Sequence, residues 1–181
     1  MQQDTEFIAR LRERNLMSLR AFVRIPDRFS LVYDYIPNSS LENTMNRHWD
    51  DGVFSTVMKV NVYTGNDERV VRAVKVKYMK RDGDSVWSLL HGYSGTVNEI
   101  KLDYPSEEIV GIEGYHGAVE GRDGSEAITC ITFHTNMREY GPFREEVGTY
   151  FSSTLYGGKV VGFSGRSGSY LNAIGVHVEY F

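Results

Sequence analysis

All 18 glycines of the 181-residue chain lie between Gly52 and Gly175, where they separate runs of alternating residues. Alternation has period two, the period of a pleated strand, and glycine supplies the turns that return one strand beside the next. In Val70–Tyr78, for example, Val70, Arg72, Val74, Val76 and Tyr78 share one parity, and Val71, Ala73, Lys75 and Lys77 the other. Similar runs follow at Val97–Asp103, Ala127–Thr135, Lys159–Ser164 and Leu171–Tyr180. The turns fall at Asp82-Gly83, Gly121–Gly124, Gly157-Gly158 and Gly165–Gly168. No helical periodicity competes, so about three-quarters of the chain is expected to be all-β: a sandwich, barrel or prism whose edges are closed or protected.

The opening 47 residues differ. They hold no glycine and no lysine, but seven arginines. Phe7, Ile8, Leu11, Asn15, Leu16 and Leu19 roughly follow helical spacing, with Asp4 or Thr5 as a cap, which predicts a helix. Phe29–Ile36, rich in β-branched and aromatic residues, predicts a strand, and Pro37–Ser40 a turn. The shift near Asn46–Trp49 divides the chain into 1–47 and 48–181.

Composition narrows the function. Hydrophobic residues make up 41% and charged residues 24%, enough for a core and too apolar for wholesale disorder. A net charge of −4 removes the broad basic footprint of a nucleic-acid binder. The single cysteine, Cys130, excludes an intrachain disulfide and thiolate clusters, and its alternating strand predicts a buried, inert thiol. Met1–Arg14 is charged and lacks an apolar core, and no run approaches the ~20 apolar residues of a membrane helix, so an intracellular protein is expected.

Catalytic and metal motifs are missing from the linear pattern. The five histidines, His48, His91, His116, His134 and His177, have no paired ligand spacing and read as strand or loop residues. The segment from Gly162 to Gly168 matches neither a nucleophile elbow nor a phosphate loop. Glu107-Glu108 and Glu145-Glu146 are adjacent, so in a strand they point oppositely; they read as solvated charge rather than an acid–base couple. A chain without catalysis and without a cofactor is expected.

Several ordered stretches resemble a known family. They are Trp49–Phe54, Leu102–Ile109, Gly111–Gly117, Ile131–Asn136, Tyr140–Phe143, Gly148–Phe151, Gly157–Phe163 and Gly165–Gly175. Together they resemble the jacalin-related lectins over residues 48–181. The resemblance implies a β-prism of three four-stranded antiparallel sheets, often oligomeric, that binds mannose-, glucose- or galactose-type sugars without metal. For a member without a signal peptide it also implies a cytoplasmic or nucleocytoplasmic location. Residues 10–20 and 31–41 instead resemble a receptor-like protein kinase of plants near its hinge, which implies a truncated kinase segment fused ahead of the lectin domain. Without a glycine-rich loop, phosphate-binding lysine, HRD or DFG, that segment cannot transfer phosphate. With the helix and strand above, it forms an N-terminal appendage. Phe29–Ile36 is a candidate to replace the prism's missing first strand.

The resemblance also implies the sugar site. The family's closing loop G-x-x-x-D falls on Gly168, Ser169, Tyr170, Leu171 and Asn172. Gly168 leaves room for a ring, the N–H groups of the next three residues face hydroxyls, and Tyr170 is expected to pack on the sugar. Asn172 departs from the family's aspartate, exchanging a doubly accepting carboxylate for one neutral oxygen and a donor. That exchange is expected to cost ~1–3 kcal/mol of binding. Asn46 falls where a sugar-facing glycine is expected, and Arg122 in its turn is a further contact. Partners are therefore glycans or glycoproteins, with no nucleic acid or membrane insertion, and a homo-oligomer is expected. A protein-interaction module with a decayed sugar loop is the other reading.

Overall fold

The computed structural model describes residues 19–25, 28–33, 47–66, 69–119, 125–153 and 157–180. In chain order these form a hairpin of β1 (Leu19–Ile25) and β2 (Arg28–Tyr33), then β3 (Arg47–Asp50), β4 (Thr56–Thr64) and β5 (Val71–Met79). Next come β6 (Ser85–Trp87), β7 (His91–Gly92), β8 (Thr96–Lys101), β9 (Ile109–Ala118) and β10 (Glu126–Thr135). The chain continues through β11 (Glu139–Phe143), β12 (Thr149–Ser152), β13 (Gly158–Ser167) and β14 (Leu171–Tyr180). Among the described residues there is no helix. The expected helix over residues 7–19 lies almost wholly outside them, and Leu19 itself begins β1.

Three antiparallel sheets enclose one core, as the all-β expectation requires. Their strand counts differ from four each. One sheet has four strands in the order β11-β10-β9-β12. The second orders β6-β5-β4-β8 and has five, because β6 and β7 both pair with β5 and divide one edge position between them. The third has three, β14-β13-β3. Beside it, the backbone of β2 runs along β14 without joining its hydrogen-bonded ladder. The strand expected at Phe29–Ile36 therefore exists over Arg28–Tyr33, paired with β1 and lying near the edge it was expected to cover.

Each sheet turns its apolar parity inward. Val60, Val62, Val74, Val76, Tyr78 and Ile100 of the second sheet meet Ile112, Ile131 and Phe133 of the first and Phe163, Ile174 and Val176 of the third. Phe133 sits edge-on to Phe163 at 6.2 Å and 73°. Burying such side chains stabilises by roughly 1.5–3 kcal/mol each. Of the strands nine or more residues long, β4 and β9 do not appear among the predicted alternating runs, for different reasons. In β4 the register slips between Val57 and Lys59, so its parity changes at Met58. In β9 the glycines stand inside the strand: a Cβ on Gly114 would lie 2.1 Å from the Cys130 carbonyl oxygen. There glycine serves close backbone approach and not a turn.

Trp49–Phe54 joins the sheets. Asp51 Oδ1 is 2.7 Å from His91 Nε2, and its Oδ2 accepts from the Tyr78 hydroxyl at 2.7 Å. Burial, reinforced by the Asp51 charge, raises the Tyr78 phenol well above its ordinary range. Trp49 stacks on His91 at 3.7 Å and 6°. Asp50 Oδ1 accepts from the Gly52 N–H at 2.8 Å and lies 2.8 Å from His177 Nε2. Two of the scattered histidines thus anchor an aspartate pair. Cys130 is buried, and burial followed by the Glu146 and Glu113 charges pushes its thiol up to about 11.

One reading needs correction. Glu107 is not solvated: it is 1% exposed. It accepts from the Asp103 N–H (3.0 Å), the Thr135 hydroxyl (3.0 Å) and the Tyr140 hydroxyl (3.1 Å), and pairs with Arg138 Nε at 3.1 Å. Burial works to raise its carboxyl, but these donors and the guanidinium outweigh it and hold the group below its ordinary value. Its neighbour Glu108 lies 3.4 Å from Lys159; both glutamates precede β9 and stand outside any strand.

Candidate carbohydrate site

The candidate site is the hairpin that closes the third sheet. β13 and β14 pair down to Ser167 opposite Leu171, leaving Gly168-Ser169-Tyr170 as the connection. The Gly168 N–H donates to the Tyr170 carbonyl at 3.0 Å and tightens it. Ser169 stands exposed at the tip, and its N–H takes no protein acceptor among the described residues. A backbone N–H next to a glycine can donate to a sugar hydroxyl oxygen without a side chain in the way.

The side chains are arranged differently from expectation. The Tyr170 ring is 8% exposed and joins Val70, Val119 and Ala127 in a small apolar cluster. It faces the protein, so the expectation that it packs on a sugar fails for the ring while its backbone remains at the hairpin. Leu171 is fully buried in the main core. Asn172 is 7% exposed; its Nδ2 donates to the Glu126 carbonyl at 2.7 Å, while its Oδ1 is buried without a partner among the described residues. An aspartate at this place would set a carboxylate against that carbonyl, so asparagine suits the contact it makes. Asn46 and Arg122 lie outside the described residues.

Glu126, 46 positions from Asn172, is the residue that sequence spacing does not reveal. It starts β10, and its Oε2 lies 3.5 Å from His116 Nδ1. Burial, opposed by the Glu126 carboxylate, lowers His116 below its ordinary range. No spacing rule links Glu126 to the 168–172 loop; only the packing of β10 on β14 does.

Three antiparallel sheets around one core, closed by a glycine hairpin with the exposed Ser169 at its tip, define a β-prism. The family model for the jacalin-like lectin domain matches residues 43–177, and the chain belongs to that family. An agglutinin of Castanea crenata is 44% identical over 135 residues, covering 74% of this chain and 43% of that protein. Jacalin-related lectin 19 of Arabidopsis thaliana is 36% identical over 133 residues, covering 72% and 73%. Among solved structures, a mannose-specific jacalin-related lectin from Morus Nigra in complex with mannose superposes with a TM-score of 0.68 at 29% identity, covering 90% of this chain and 96% of that one. Several matched relatives are longer proteins: this chain spans 43% of the Castanea crenata agglutinin.

Proposed function

We propose that the chain is a carbohydrate-binding lectin that acts without catalysis and takes mannose- or glucose-type glycans at the Gly168–Asn172 hairpin. The observation that carries this reading is the tight hairpin itself, with the Ser169 N–H at its exposed tip unclaimed among the described residues. The mannose complex of the Morus Nigra relative supports the sugar class. Single sites of this kind are weak, and a homo-oligomer would multiply them into avidity. The kinase-like resemblance near residues 6–45 enters the same proposal as an appendage without phosphoryl transfer, its hairpin set beside β14.

Titration calorimetry with methyl α-mannoside, methyl α-glucoside, galactose and an oligomannose glycan tests the reading. Heat at millimolar affinity or better supports it; silence with all four from a folded protein rejects it. One observation favours a second reading, a protein-interaction module with a decayed sugar loop. The Asn172 amide is turned onto Glu126, and its free oxygen is sealed from solvent. The Asn172→Asp variant separates the two. A gain in sugar affinity supports a working site, and no binding before or after the change supports the interaction module.

A further inference from the structure

The outer face of the β6-β5-β4-β8 sheet carries a row of like charges. Lys101 of β8 is opposite Lys59 of β4, Lys59 is opposite Lys77 of β5, and Lys77 is opposite Trp87 of β6. Like charges directly across a ladder destabilise a sheet. Relief is partial. Lys59 Nζ pairs with Glu99 at 2.6 Å, whereas Lys77 and Lys101 have no ion pair among the described residues. Lys75 adds a fourth ammonium 5.5 Å from the Trp87 ring centroid, and Lys59 lies 6.0 Å from it. In a chain of net charge −4, this row is a local basic island.

The row borders a cavity. Met58, Lys59, Lys77, Trp87, Lys101, Leu102, Asp103 and Tyr104 enclose a groove of about 370 Å³, a volume suited to a small ligand. Trp87 is 38% exposed and Tyr104 51%, so aromatic surface stands open beside the ammonium groups. The one lining carboxylate, Asp103, is already engaged by Arg138 Nη2 at 2.8 Å. The groove therefore presents uncompensated positive charge together with aromatic faces. Adjacent strands set the lysine stems about 5 Å apart, comparable to the length of one sugar ring.

We propose that this groove is a second saccharide subsite, for an oligosaccharide carrying one anionic group per ring. The anions meet the row of ammonium groups in charge-assisted contacts, and the apolar ring faces lie on Trp87 or Tyr104. The subsite is independent of the 168–172 hairpin and does not rest on the function proposed for it.

The test is calorimetry of the full chain, at low salt, with tetragalacturonate, its methyl ester, inorganic phosphate and an oligoglutamate peptide. Tetragalacturonate is expected to bind, to weaken as salt screens the charges, and to be unaffected by saturating methyl α-mannoside. The ester is expected to bind about tenfold or more weakly, as is tetragalacturonate to the Lys77→Gln/Lys101→Gln variant. Trp87→Ala is expected to weaken binding about fivefold. Because the lysines repel one another, the double variant should melt no lower than the parent; Lys101→Gln alone, at an exposed position, tests the same contact if the double variant misfolds. Absence of heat with tetragalacturonate, or equal affinity in the lysine variants, overturns the proposal. Equal binding of the ester, phosphate or the acidic peptide, or indifference to Trp87→Ala, also overturns it, as marks of a patch that reads no saccharide.

Discussion

Glu107 and Asn172 are both buried polar side chains in one small prism, and they are treated in opposite ways. Glu107 collects a backbone N–H, two hydroxyls and a guanidinium, so its charge is compensated from several directions. Among the described residues, Asn172 makes one hydrogen bond through its amide nitrogen, and its oxygen has none. A saturated network fixes a corner of the fold, whereas a buried acceptor left over costs roughly 1–3 kcal/mol. The first is a joint that holds β10, β11 and the 103–108 turn together. The second keeps an open valence beside a hairpin in a domain of sugar-binding relatives.

The contrast can be tested from its strong side downward. Glu107→Gln is expected to destabilise the chain by about 2–3 kcal/mol at pH 7, the scale of lost hydrogen bonds to a charged group. At about 2–4 °C per kcal/mol for a chain of this size, thermal melting resolves that loss. The same variant carries a pH signature. The folded carboxyl titrates below the unfolded one, near 4.3, so its contribution is complete above that value and is lost as pH falls through the folded one. The gap between parent and variant should therefore close in acid, and a gap constant from pH 7 to pH 2 would show that the charge is irrelevant.

Tyr140→Phe removes a single donor from the network, and about 1–2 kcal/mol in urea titration is expected. Asn172→Ala should have the smallest effect, within about 1 kcal/mol, because it deletes one hydrogen bond and one orphaned acceptor together. If denaturation shows Asn172→Ala costing as much as Glu107→Gln, the two sites are not treated differently and the comparison fails.

The legibility of the chain divides along similar lines. Turn glycines and strict alternation exposed β5, β8, β10, β13 and β14, because period and turn chemistry are local properties. β4 and β9 escaped, one through a bulge at Met58 and the other through glycines that admit a neighbouring backbone. The hairpin glycine and Asn172 were legible only through the resemblance to the family's closing loop. The inward Tyr170 ring was not, since Val70, Val119 and Ala127, which receive it, come from distant strands. Glu107 misled for the same reason: Thr135, Arg138 and Tyr140 lie about thirty residues away and neutralise a carboxylate that looks solvated in its own segment.

The two tryptophans give this chain built-in spectroscopic reporters of separate events. Trp49, stacked on His91, senses the junction of the sheets, whereas Trp87 stands half-open among lysines. A Trp87→Phe variant would leave emission from Trp49 alone and follow unfolding of the joint; a Trp49→Phe variant would report occupancy of the groove. Difference spectra between the two would show whether loading the outer face is felt at the centre of the prism.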